Sequence, residues 1–125
     1  MTLKILLLIL FSVTLSALAQ IALKFGVSKV EAVRPAADPM GMLSTLLAYG
    51  GNGYVLLGLL TYGIGAVVWL LVLARLDVSQ AYPFVGLGFL VTMILGILLL
   101  QESVTVPRLI GTLLVVVGVS LVARS

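Results

Sequence analysis

Cysteine and histidine are both absent from the 125 residues. The first absence excludes disulfides, thiolate nucleophiles and cysteine-ligated metals. The second removes the commonest metal ligand and the usual proton shuttle. Charge is scarce as well: 9% of the residues are Asp, Glu, Lys or Arg, where a soluble domain carries roughly a quarter. The net charge of +3 is too small and too scattered for a nucleic-acid-binding face. So few polar groups cannot cover a water-facing surface.

What the sequence has instead is apolar length. Hydrophobic residues make up 62% of the chain and the mean hydropathy is +1.35. The chain reads as an all-α membrane protein with four transmembrane helices in a single domain spanning 1–125. The runs lie at about 3–24, 54–74, 80–100 and 107–123, each long enough or nearly so to cross ~30 Å of hydrocarbon. They are continuously apolar rather than alternating, and four strands close no transmembrane barrel. The first run imitates a signal peptide, with Lys4 ahead of an apolar stretch and Ala17-Leu18-Ala19 before Gln20. The apolar run continues through Ile21, Ala22 and Leu23, so we read it as a helix that stays.

The connecting segment 25–53 is not one simple loop. Val27 to Asp38 carries Lys29, Glu31, Arg34, Pro35 and Asp38 and reads as a solvated connection. Asp38-Pro39 has the form of an N-cap followed by Pro at N1. Met40 to Tyr49 then reads either as a short interfacial helix or as ordinary loop, ended by Gly50-Gly51-Asn52-Gly53. The later connections are short, Arg75–Ser79 with Ser79 as a candidate cap and Gln101–Val106 before Pro107, which makes spans two to four antiparallel neighbours.

Four spans put both termini on one side with Lys4, Arg75 and Arg124. The other side carries Lys24, Lys29, Arg34 and Arg108. This balance sets no orientation. Two readings stand, dual insertion giving an antiparallel homodimer, or one orientation fixed weakly or by a partner. The halves show no internal repeat, and transporters usually set two repeats around a midplane site. A second subunit is therefore expected, as a homodimer or a heterodimer with a related four-helix chain.

Polar groups inside spans mark candidate sites. Ser12, Ser16, Gln20 and Lys24 follow one another at i+4 on the first span. As a set they read as a cavity lining with a cation at its end, suited to a phosphate or carboxylate. The alternative has Lys24 snorkelling to headgroups and the serines bonded within their own helix. Trp69 lies too deep for a simple interfacial residue and suits either a cavity or packing, and Tyr62 shares its span. Gly58, Gly63 and Gly65 permit close helix approach. Tyr82-Pro83 opens the third span beside Gly86 and Gly88, marking a hinge or substrate contact, or only a first-turn proline. Gly111 and Gly118 are seven apart on one face, a spacing suited to subunit packing. Glu102 and Arg108 are a candidate ion pair or coupling pair. No Asp or Glu lies in the interior of a span. No catalytic dyad, phosphate-binding loop or metal constellation is present either, so the sequence points away from an enzyme, and no cofactor is expected.

These residues resemble the small-multidrug-resistance-like branch of the drug/metabolite transporter superfamily. Within it they are most similar to the paired subunits of aminoarabinose-phosphoundecaprenol flippases. The elements that carry the likeness are Leu15-Ser16 through Gln20 and Lys24, Trp69-Leu70-Leu71-Val72-Leu73, Ala81-Tyr82-Pro83, Glu102 and Gly111. The resemblance implies transfer of a polyprenyl-phosphate-linked sugar between leaflets of a bacterial inner membrane. It maps Gln20, Lys24, Trp69, Tyr82 and Pro83 onto substrate-binding positions. Lys24 would hold the lipid phosphate, Gln20 would bond phosphate or sugar, and Tyr82 and Trp69 would line the cavity. Small multidrug exporters carry a glutamate in the first helix eight residues before the Lys-Phe pair, where this chain has Ser16. That difference argues against proton-coupled export of cationic drugs, which stands as the alternative function. A non-transporting accessory subunit is a further alternative.

Overall fold

The computed structural model describes residues 2–33 and 41–125. It is built of six α-helices with one 3₁₀ turn: α1 (Leu3–Val33), α2 (Gly41–Gly50), α3 (Gly53–Leu73), α4 (Val78–Ala81), the 3₁₀ turn Tyr82–Phe84, α5 (Val85–Leu100) and α6 (Val106–Arg124). Among the described residues, four stretches are long and apolar enough to cross a membrane: Leu3–Ala32, Gly53–Leu73, Val78–Leu100 and Val106–Arg124. The expected all-α, four-span architecture is what the chain forms.

The first helix is longer than its apolar run. Residues 27–33, read from their charges as solvated connection, continue α1 without a break. Nothing between Gly26 and Pro35 opposes helix, and Pro35 disfavours α geometry at the residue before it. The extension is also held from the side. Gly26 lies under Val55 and the Asn52 side chain, and the Lys29 ammonium sits 4.4 Å above the Tyr54 ring. The Tyr49 hydroxyl donates to Glu31 at 2.6 Å, tying α2 to α1. The short helix read between spans one and two is therefore present as α2, with Met42, Leu43, Leu46 and Leu47 turned outward. The expected Asp38-Pro39 start lies outside the described residues, as does Arg34.

The other ends follow local chemistry. The Asn52 side chain accepts from the amides of Tyr54 and Val55 at 2.9 and 3.2 Å and starts α3. Asp77, not the expected Ser79, is the residue before α4, and Ser79 lies inside that helix. Pro83 cannot donate to the turn before it, so the third span tightens into 3₁₀ geometry there and then resumes as α5. Gln101 ends α5 in the left-handed region, at φ 55°. The Gln101 amide makes the six-to-one bond to the Gly96 carbonyl, and the Glu102 amide shares that acceptor at 3.1 Å. Thr105 caps α6 through the Arg108 amide.

Helix α1 is the centre of the bundle, with α3 and α5 packed on it and α6 packed on α5. Lipid supplies little hydrophobic drive between helices, so close van der Waals approach has to hold them together. The α1–α3 seam achieves this with small residues: a Cβ on Gly58 would stand 2.8 Å from Leu23 Cγ and 3.0 Å from the Ala19 carbonyl oxygen. Ile9, Val13, Val72, Ala81, Phe84 and Val119 form one buried cluster near the chain termini. The tightened Tyr82–Phe84 turn supplies Phe84 to it. By contrast α6 buries only Val119 and leaves most of its surface open.

Candidate functional site

Between α1, α3 and α5 lies a cavity of about 330 Å³. Its floor is α1, where Ser12, Ser16, Ala17 and Gln20 succeed one another along the polar stripe. One wall is α3 with Tyr62, Gly65 and Trp69; the other is the third span with Tyr82, Gly88, Phe89 and Thr92. Glycines bring both walls onto the floor. A Cβ on Gly65 would meet Leu15 at 3.4 Å, and one on Gly88 would meet Val13 at 3.2 Å. The walls themselves make little contact with each other, so the cavity opens sideways between α3 and α5. Tyr62, Tyr82 and Phe89 stand at that opening, each about half exposed or more.

The lining divides into groups that are bonded and groups that are not. The Ser12 hydroxyl is buried and donates across the seam to the Gly65 carbonyl at 2.8 Å. The expectation that the stripe serines bond within their own helix fails here, because Gly65 brings the α3 backbone within reach. Among the described residues, no side-chain hydrogen bond within the protein is formed by Ser16, Gln20, Tyr62, Tyr82 or Thr92. The cavity therefore presents hydroxyls, an amide and aromatic faces, all available to a guest. No buried polar side-chain atom among the described residues is left without a partner, so these free groups are open to the cavity or its mouth.

Of the residues singled out in the sequence, Ser16, Gln20, Trp69 and Tyr82 meet in this one cavity. Lys24 does not line it; it is exposed, one turn and about 6 Å along α1 beyond Gln20. Pro83 is also off the lining, half-buried in the 3₁₀ turn next to Tyr82. Glu102 and Arg108 have separate surroundings. The Arg108 guanidinium donates to the Ser103 carbonyl at 3.2 Å, while the Glu102 carboxylate rests against Gly96. Gly111 and Gly118 face open space, with nothing within 4 Å of where a Cβ would stand.

Sequence reasoning passed over Phe89 and Thr92 and gave Tyr62 no site role. Their signal was spacing: Tyr82, Val85, Phe89 and Thr92 recur every three or four residues, as do Tyr62, Gly65 and Trp69. Each set is one stripe of one span.

Four spans around a small, laterally open polar and aromatic cavity define a multi-pass membrane protein of transporter type. The chain matches the EamA-like transporter family over residues 3–124 and belongs to it. It is 35% identical over 119 residues to a probable 4-amino-4-deoxy-L-arabinose-phosphoundecaprenol flippase subunit ArnE of Pseudomonas fluorescens, covering 95% of this chain and 96% of that one. The protein of the same description from Pseudomonas savastanoi pv. phaseolicola is 34% identical over 118 residues, covering 94% and 96%. That from Pseudomonas aeruginosa is 41% identical over 69 residues, covering 55% and 60%. No solved structure matches the chain.

Proposed function

We propose that the chain is one subunit of a flippase of the bacterial inner membrane. Its cargo is a polyprenyl-phosphate-linked sugar of the aminoarabinose type, moved between leaflets. The observation that carries this reading is the sideways-opening cavity lined by Ser16, Gln20, Tyr62, Trp69, Tyr82 and Thr92. A lipid-linked headgroup needs a polar passage for the sugar and an open flank through which the prenyl tail stays in hydrocarbon. Near-full-length similarity to flippase subunits supports the same reading.

In this scheme Ser16 and Gln20 bond the sugar, and Trp69 and Tyr82 form the walls it slides between. Lys24 takes the phosphate as a point charge just outside the cavity. Pro83 acts indirectly, by tightening the turn that sets Tyr82 at the rim. A second subunit, a copy of this chain or a related four-helix chain, packs against α6 through Gly111 and Gly118 and leaves the flank between α3 and α5 open to the prenyl tail.

The test is competition for the purified complex by native mass spectrometry, polyprenyl phosphate sugar against ordinary anionic phospholipid. Selective retention of the sugar lipid, reduced about tenfold or more in Lys24→Ala, is the expected result. Equal retention of all anionic lipids by the wild type overturns the reading. Selective retention unaffected by Lys24→Ala removes Lys24 from it.

A further inference from the structure

The cavity concentrates one kind of side chain and omits another. Of four tyrosines, four phenylalanines and one tryptophan in the chain, Tyr62, Trp69, Tyr82 and Phe89 all line it. Of the six basic and three acidic residues among those described, none does. A phosphate entering this space would lose its hydration with no cation to replace it. An ammonium would lose hydration too, but it would meet aromatic faces, whose negative quadrupole attracts a cation within about 6 Å of the ring. Neutral hydroxyls are matched by the free groups of Ser16, Gln20 and Thr92. With aromatic faces and no charged side chain among its described residues, the lining favours a cation or a neutral polar group over an anion.

We propose that this cavity selects the protonated amine of an amino sugar by cation–π contact, with Trp69 and Tyr82 as the principal rings, while the phosphate stays outside. The inference rests on the flippase reading and deepens it by assigning the cationic end of the headgroup to this chain's own aromatic residues. No carboxylate is required from either subunit. Trp69 suits the role because indole is the strongest cation–π partner and because its ring is fixed, half-buried against the core cluster. Tyr82 suits it because the Pro83 turn holds it, 64% exposed, at the lateral opening where a headgroup enters.

The experiment uses the purified complex in nanodiscs and four synthetic probes on one polyprenyl chain. These are the phosphate alone, the amino-sugar phosphate, its N-acetyl derivative (uncharged) and its N,N-dimethyl derivative (charged and of similar bulk). Wild type should retain the amino and dimethylamino lipids about tenfold over the acetylated one, a difference of about 1.4 kcal/mol. Trp69→Leu and Tyr82→Leu should each shrink that ratio severalfold, and Trp69→Phe should keep most of it. Tyr82 is exposed, so its variant provides a test even where Trp69→Leu fails to fold. Equal binding of charged and uncharged sugar lipids by wild type overturns the proposal and leaves the flippase reading standing. A charge preference that survives both leucine variants also overturns it, placing the cation against a carboxylate of the assembly. Failure to retain any sugar lipid above phospholipid overturns the flippase reading and this one with it.

Discussion

The Ser12 hydroxyl donates to the carbonyl oxygen of Gly65, 53 residues away, at 2.8 Å in a buried setting. That carbonyl lies one helical turn before Trp69, so the bond fixes the floor of the cavity to the wall that carries the indole. Ser12→Ala removes the donor and leaves the helical bonding of α3 intact. Interhelical hydrogen bonds inside membranes average about 0.6 kcal/mol and reach about 1.7. The variant should lose stability within that range, read by thermal unfolding in detergent. An unchanged melting temperature would mean the bond contributes nothing to the seam.

The glycines of α3 separate packing from mere permissiveness. Gly58→Ala drives a methyl group into Leu23 and the Ala19 carbonyl, and overpacking of this kind costs about 1–3 kcal/mol. Gly63, five residues later, has nothing within 4 Å of a built Cβ. Gly63→Ala should leave stability unchanged or raise it by up to about 1 kcal/mol through helix propensity. Parallel melts of the two variants check the contrast, and equal destabilisation would contradict the seam described for α1 and α3.

Helix α6 gives a prediction about assembly. Gly118 is open, and its neighbours Leu114, Val117 and Leu121 are exposed. A Cβ at Gly118 has nothing within 4 Å in its own chain, so the fold of the subunit should tolerate Gly118→Leu. In the proposed dimer the added side chain wedges the interface apart, and the dimer fraction in native mass spectra should fall tenfold or more. A dimer that persists unchanged would place this face against lipid.

The spans were legible because continuous apolar runs of this length have one reading in a bilayer, and because Pro83 and Pro107 mark backbone that cannot donate. Ser16, Gln20, Trp69 and Tyr82 were legible for a related reason: each is conspicuous in a span where polar or aromatic groups are costly. Phe89 and Thr92 were not, since an apolar ring and a threonine are ordinary in a membrane helix. Only the packing of α5 on α1 turns their face inward. The extension of α1 through Val33 was hidden by Lys29 and Glu31, whose charges suggest solvent. Their partners, the Tyr54 ring and the Tyr49 hydroxyl, come from segments 18 or more residues away. Local composition carries no record of such contacts.

The Glu31–Tyr49 bond gives α2 a dependence on pH. The phenol donates to the carboxylate at 2.6 Å. That hydrogen bond, with some burial and the negative charge of Glu31, raises the Tyr49 pKa above the usual tyrosine value near 10. A folded-state pKa above the unfolded one means stability is fully present below about pH 10 and lost as pH rises through the higher folded value. Above it the phenolate has no proton to donate and repels the carboxylate. Ultraviolet titration of phenolate, taken as wild type minus Tyr49→Phe, should show one group ionising above pH 10. Glu31→Gln removes the charge and keeps an acceptor, so that group should shift down towards the ordinary tyrosine range. A difference titration centred at or below pH 10 in the wild type would mean that the contact does not hold α2 to α1 in the membrane.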